Sequence, residues 1–263
     1  MIMILKVDNI RFAYGSSEVL HDVCFEVQQG DILGIIGPNG SGKTTLLKCL
    51  NRVLKPQAGV VLVGDDDVGR MPRKQIARDM GVVPQDSSVS FPFSVLEIVL
   101  MGRAPHLRLL SGESAEDLRI VRQAMARAGV DRLADRRINE ISGGQRQLVF
   151  IARALAQAPR VLLLDEPTLH LDINHQLEIL ELLTDLAHRE RITTVWVSHD
   201  LNLAARYSDA LLLLHKKTVI AAGDPDSVLT RENIREAYGV EVEINLTESG
   251  LLYIMPVPKG CSL

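Results

Sequence analysis

Three apolar blocks punctuate the chain: ILGII at 32–36, VLLLD at 161–165 and TVWVS at 194–198. Their side chains are aliphatic or β-branched and lack the alternation of a half-exposed strand, which predicts strands buried on both faces of a parallel sheet. Between them, apolar residues recur at helical spacing. Leu46, Leu47, Leu50, Val53 and Leu54 follow Lys43, and Leu148, Ile151, Ala152 and Leu155 repeat the pattern later. Strand alternating with helix predicts an α/β sheet with its ligand at the carboxyl ends of the strands. The stretch from about Ser94 to Ala158 breaks that rhythm. Leu118, Val121, Met125 and Ala128 keep helical spacing with no strand pattern, so this stretch is expected to be an inserted helical subdomain. From Val240 onward, VEVEINLTESGLLYIMPV alternates on either side of a turn at Glu248 to Gly250, predicting a terminal hairpin.

Length and composition narrow the possibilities. The 263 residues suffice for one large domain or a core with a subdomain. With 24% charged and 46% apolar residues and a formal charge of −4, there is no electrostatic reason to expect nucleic acid or anionic lipid as a partner. Cys24, Cys49 and Cys261 are odd in number and unrelated in spacing. They argue against a disulfide framework or a zinc site and for buried or incidental thiols in a reducing compartment. The opening MIMILKVDNIRFAYG meets Lys6 and Asp8 before a signal core could form, and reads as mature sequence. Because no uncharged apolar stretch approaches 18 residues, the chain is not expected to cross a bilayer by itself.

The chemistry begins at GPNGSGKTT, Gly37 to Thr45, which fits the phosphate-loop pattern G-x-x-x-x-G-K-[ST] between a strand and an amphipathic helix. Gly37, Gly40 and Gly42 let successive backbone amides curl around one anion, and the helix adds its positive end. Lys43 is placed to reach the β- and γ-phosphates and Thr44 to ligate Mg²⁺. VLLLDE ends abruptly in Asp165 and Glu166 at the same sheet edge. Asp165 is the candidate partner of Mg²⁺, directly or through water, and Glu166 the candidate base for an attacking water. Taken alone, the two acids also fit an acidic helix start. His199 leaves the third strand at the same edge, near the γ-phosphate. A second candidate anion turn lies in NEISGGQRQLVFIARAL, Asn139 to Leu155, and has no lysine at the turn. There Ser142 can cap a helix starting near Gln145 while Gly143 and Gly144 admit close backbone approach; a plain Ser-Gly-Gly cap fits as well.

Together these motifs resemble the ATPase subunits of ATP-binding cassette (ABC) transporters, over nearly the whole chain. Gly37, Pro38, Asn39, Gly40, Ser41, Gly42, Lys43, Thr44 and Thr45 look like Walker A, VLLLDE like Walker B, and Ile141, Ser142, Gly143, Gly144 and Gln145 like the signature. Gln85 resembles the loop glutamine that senses Mg²⁺ and the γ-phosphate, Tyr14 the aromatic that stacks on adenine, Asp172 the D-loop aspartate, and His199 the switch histidine. The resemblance implies a P-loop NTPase core over 1–90 and 159–239 with an N-terminal antiparallel β subdomain. It also implies a helical subdomain over 91–158 and a hairpin tail over 240–263. ATP and Mg²⁺ are the implied cofactors, with Glu166, His199 and Gln85 as catalytic residues and Thr44, Gln85 and Asp165 around the metal. Two copies would pair head to tail, the signature of each meeting the γ-phosphate held by Lys43 of the other, and the lysine missing from the signature turn would come from the partner. Ile141 stands where the signature usually has Leu, and Leu169 where a small polar residue is commoner.

FPFSVLEIVLMGRAPHL, Phe91 to Leu107, and GDPDSVLTRENIREAYGVEVEI look like ATPases of importers for iron–siderophore, haem, cobalamin and related metal chelates. Arg103 and His106 also admit a plainer reading as loop-surface residues. The resemblance implies a transmembrane permease dimer as partner, a substrate-binding protein acting indirectly, and a peripheral place on the cytoplasmic face of the cell membrane. His106, His170 and His175 show no metal-binding spacing. Other ABC classes fit less well. DNA-repair types need a long coiled-coil insertion before the signature, translation factors carry two cassettes, and non-hydrolysing modules lack Glu166 or His199. An ABC ATPase with another cargo or an export direction stays open.

Overall fold

The computed structural model describes residues 3–85, 91–107, 112–248 and 250–257. Cys261, and Ser249 in the expected Glu248–Gly250 turn, lie outside the described residues. Two long strands, β1 (Met3–Tyr14) and β2 (Ser17–Gln28), open the chain as an antiparallel pair. The short strand β3 (Ile32–Ile36) and helix α1 (Lys43–Leu50) come next. Strands β4 (Ala58–Val63) and β5 (Asp66–Asp67) then return to complete a sheet in the order β2-β1-β4-β5. Helix α2 (Arg73–Asp79) runs directly into β6 (Met80–Val83). Beyond residue 90 come the helices α3 (Val95–Leu100), α4 (Ala115–Arg127) and α5 (Gly143–Leu155).

The alternation resumes with β7 (Val161–Asp165), α6 (Ile173–His188), β8 (Thr193–Val197), α7 (Leu201–Tyr207) and β9 (Ala210–His215). Strand β10 (Thr218–Gly223), the short helices α8 (Pro225–Val228) and α9 (Arg231–Tyr238), and the hairpin of β11 (Val242–Leu246) and β12 (Leu252–Pro256) follow. The central sheet has the order β10-β9-β3-β8-β7-β6, parallel throughout except for β10 against β9. The fold is therefore α/β, with a mainly parallel sheet and a separate antiparallel one.

The unbroken apolar runs follow from two cores on opposite faces of one sheet. Leu33 and Ile35 of β3, Val161 and Leu163 of β7, and Val195 and Val197 of β8 pack with α1 and the antiparallel sheet. Their neighbours Ile32, Ile36, Leu162, Leu164 and Trp196 pack on the other side with α5, α6 and the hairpin. Each buried aliphatic side chain contributes roughly 1.5–3 kcal/mol, so an alternating polar residue would forfeit one layer. Strands β6, β9 and β10 carry no motif, and the sequence reading did not single them out.

Helix α1 ends earlier than its spacing predicts. Leu46, Leu47 and Leu50 are buried, but Val53 is 69% exposed and the helix stops at Leu50. Arg52 turns left-handed at φ 57°. Its guanidinium donates to the Met71 carbonyl at 2.5 Å, and the Asn51 side-chain oxygen accepts from the Val53 amide at 3.0 Å. These local bonds replace the helical ladder.

Arg103 and His106 are not loop-surface residues. Arg103 is 5% exposed; its guanidinium donates to Asp117 Oδ1 at 2.9 Å and to the Ala156 carbonyl at 2.8 Å. Asp117 is held in turn by the Ser114 hydroxyl (2.6 Å) in the capping box of α4. His106 Nε2 contacts the Gln157 carbonyl at 2.8 Å, and Arg78 of α2 donates to the Pro105 carbonyl at 2.9 Å. Residues 103–106 thus join α2, α4 and the end of α5. The terminal hairpin is fastened similarly: the Asn202 amide of α7 donates to the Ile254 carbonyl (3.2 Å) and accepts from its N–H (2.7 Å).

Candidate functional site

The phosphate-loop pattern occupies the turn between β3 and α1. Gly37, Gly40 and Gly42 have φ of 147°, 77° and 106°, a region that L side chains rarely adopt. At Gly37 a Cβ would also lie 2.2 Å from the Leu214 carbonyl oxygen, so the loop is pressed against β9. Helix α1 begins without a side-chain cap, which leaves its first amides open to a ligand. The Lys43 ammonium folds back onto the Gly37 and Pro38 carbonyls at 2.8 and 3.1 Å. Lys43 is 5% exposed, and burial pushes its pKa down despite the charges of Glu166 and Asp165. An anion arriving here meets a cation that the protein itself bonds only with neutral carbonyls.

Asp165 ends β7 and accepts from the Thr44 hydroxyl at 3.0 Å. Burial raises its pKa; the Thr44 bond opposes the shift and the Glu166 charge adds to it. Glu166 follows in a left-handed conformation, φ 52°, uncommon outside glycine. Its side chain is 9% exposed and gripped at both oxygens, by the Gln85 amide at 2.7 Å and by His199 Nε2 on the other oxygen. Gln85 lies just beyond β6 and His199 just beyond β8, on either side of β7 in the sheet. Sheet order therefore brings together three residues that stand 81 and 33 positions apart in sequence. Asn39, Gly40, Gly42, Lys43, Thr44, Thr45, Glu166 and His199, joined by Val19 of β2, line a cleft of about 330 Å³.

The second anion turn stands apart. Ser142, Gly143 and Gly144 do not line the Lys43 cleft. Ser142 caps α5, its hydroxyl accepting from the Gln145 amide (3.2 Å) while the Gln145 side chain accepts from the Ser142 N–H (3.1 Å). The helix starts at Gly143, two residues earlier than expected. Asp172 caps α6 through the His175 amide at 3.0 Å, and its carboxylate also meets His175 Nδ1 at 2.8 Å. These bonds to His175 hold the exposed Asp172 carboxyl below the usual range. Tyr14, at the end of β1, is 51% exposed and packs edge-on against Phe12.

Two observations bear on which groups fit. Ser41 Oγ is buried beneath the phosphate loop with no internal partner, as suits a loop whose amides and hydroxyls face an anion. Asp165 is a buried carboxylate whose one hydrogen-bond donor is the Thr44 hydroxyl, with no cation in contact among the described residues. A carboxylate and a hydroxyl are hard oxygen donors of the kind that Mg²⁺ takes. Among the described residues there is no His, Cys, Asp and Glu cluster able to hold a metal by protein ligands alone, so phosphate oxygens or water would complete such a shell. The sequence reading missed two residues here: Val19, which has no motif, and His175, whose position three residues after a capping Asp was the available signal.

Residues 20–169 match the sequence profile of the family described as "ABC transporter". The cobalamin import ATP-binding protein of Halobacterium salinarum is 44% identical over 261 residues, 99% of this chain and 65% of that protein. The chain thus spans about two thirds of that relative's length. An ABC transporter of the metal-chelate type, solved in an inward-facing conformation, superposes with a TM-score of 0.86 at 33% identity over 98% of both chains. A dimeric ATP-binding cassette in a post-hydrolysis state, bound to ADP and Pi, superposes with a TM-score of 0.72 at 28% identity over 84% of this chain and 99% of that one.

Proposed function

The chain belongs to the ABC transporter family, and from that premise we propose that it is the ATP-hydrolysing subunit of a binding-protein-dependent importer. One observation carries the reading. The Lys43 cleft gathers a phosphate cradle, a buried carboxylate–hydroxyl pair and a doubly oriented glutamate, while the second candidate anion turn does not line it. A site with those parts hydrolyses a triphosphate once something closes its open side.

The chemistry asks mainly for positioning. The amides of residues 39–45 and the Lys43 ammonium hold the β- and γ-phosphates. Thr44, Asp165 and the Gln85 side-chain oxygen would hold Mg²⁺, which when bound neutralises charge on those phosphates. Glu166, oriented by Gln85 and His199, accepts a proton from a water as its oxygen bonds to the γ-phosphorus and the bond to the β-phosphate oxygen breaks, releasing ADP and phosphate. Tyr14 offers an exposed ring for adenine. The signature turn of a second copy, Ser142 to Gln145, covers the γ-phosphate, and Asp172 lies at the same interface. Charge-assisted hydrogen bonds of roughly 1.5–3 kcal/mol each then exist only with the triphosphate in place, so nucleotide joins the pair and hydrolysis frees it.

The helical region 91–158 would receive a cytoplasmic segment of the permease dimer and move with closure. No helix among the described residues is long and apolar enough to cross a membrane, which fits a subunit held at the cytoplasmic face by that permease. The cargo is a metal chelate such as cobalamin, haem or an iron–siderophore, supplied by an extracytoplasmic binding protein. The superposition on a metal-chelate transporter over nearly the full chain and the sequence of Phe91 to Leu107 support this cargo. Two measurements test the proposal: ATP-dependent phosphate release by the subunit with its permease, and uptake of a panel of metal chelates by cells lacking the subunit. No phosphate release would overturn the enzyme assignment, and unchanged uptake of every chelate would overturn the cargo.

A further inference from the structure

His175, near the start of α6, lies against Gly144 at the start of α5. At Gly144 an added Cβ would lie 2.1 Å from His175 Cδ2, 2.3 Å from Cγ and 2.8 Å from Nε2. Real Cβ atoms essentially never come that close to a neighbour. The imidazole therefore lies flush on the backbone of the signature turn. Its other edge is bound, since Nδ1 meets both oxygens of Asp172, at 2.9 and 2.8 Å, and the His175 amide donates to the same carboxylate. One ring thus joins the start of α5 to the start of α6. Next to it, the site of a Cβ on Gly143 is 3.7 Å from Leu171 Cδ2, an ordinary packing distance, so the two turns also approach each other there.

We infer that His175 is a positioning residue for the half-site that each copy offers the other. By seating Gly144 on its ring and fixing Asp172 through Nδ1, it makes the signature turn and the acidic turn a single rigid edge. The inference rests on the two-copy reading above. It gives Gly144 a second reason to be glycine: room for the ring, besides close approach to an anion. His175 is 30% exposed and does not line the Lys43 cleft, so its own subunit's nucleotide binding does not depend on it. What depends on it is closure, because a turn that wanders loses the geometry its amides need around a phosphate.

The test uses a Glu166→Gln parent, expected to hold ATP with turnover strongly slowed, and follows ATP-induced pairing by sedimentation alongside nucleotide binding at concentrations where the chain is monomeric. His175→Ala is expected to raise the ATP concentration for half-pairing about tenfold with monomer binding unchanged. His175→Asn, whose side-chain amide can replace Nδ1 toward Asp172, should recover most of the loss. Gly144→Ala should abolish pairing, and adding His175→Ala to it should restore pairing in part, short of His175→Ala alone, because the added methyl still hinders the anion. Equal pairing by His175→Ala and the parent would overturn the inference. So would a Gly144→Ala/His175→Ala protein as defective as Gly144→Ala, since Gly144 would then serve the anion only. A parent that fails to pair under saturating ATP would instead count against the two-copy site itself.

Discussion

At the scale of single residues, the weight falls on Glu166. A carboxylate oxygen has two lone-pair directions, so the contacts from Gln85 and His199 orient Glu166 and still leave it able to accept from a water. Glu166→Gln keeps the shape and removes the basicity; we expect phosphate release to fall by at least about 100-fold with ATP affinity retained. Native turnover by that variant would remove Glu166 from the role of base. Lys43→Ala and Ser142→Arg separate the two halves of the site. The first should weaken ATP binding to the monomer, and the second should spare it and block pairing. Equal loss of monomer binding in both would place the signature in its own subunit's cleft. Most of these residues were legible because each stands in a fixed pattern at the end of an apolar run. His175 was not, since a lone histidine has no period and its partner Gly144 lies 31 positions away, brought near only by the packing of α5 on α6.

At the scale of elements, Arg103 ties the 103–106 turn of the helical region to α4 and to the end of α5. Both members of the Arg103–Asp117 pair are buried, so removing one leaves an uncompensated charge. Arg103→Ala should destabilise the protein by roughly 3–5 kcal/mol, read from the midpoint of chemical denaturation; a change near zero would show the pair to be dispensable. Asp117 is held at about 2 by the Ser114 hydroxyl and amide and then by Arg103, against an ordinary value of 3.8. Because the folded value is the lower, this stability is complete above the ordinary value and is lost as pH falls from about 4 toward 2. The stability gap between the native protein and Asp117→Asn should therefore narrow over that interval; a constant gap would contradict the assignment. Apolar periodicity marks the elements well where it is unbroken, as in α5. It overran the end of α1, where the bonds of Asn51 and Arg52 outweigh apolar spacing, and it did not single out β6 and β9, which carry no motif. The structural role of Arg103 was likewise invisible, because burial of a guanidinium is decided by the carbonyl and carboxylate that meet it in space.

At the scale of the whole molecule, two cores on opposite faces of one sheet hold β3, β7 and β8 rigid and deliver the phosphate loop, Glu166 and His199 to one edge. The same construction leaves the signature turn outside the cleft it resembles. That division predicts a molecule whose active form contains two copies, each supplying what the other lacks. The most direct measurement is the mass of the Glu166→Gln protein in solution with saturating ATP and Mg²⁺. We predict twice the monomer mass, reverting to one copy with ADP or when Ser142→Arg is added. A protein that binds ATP and stays single under those conditions would contradict the account.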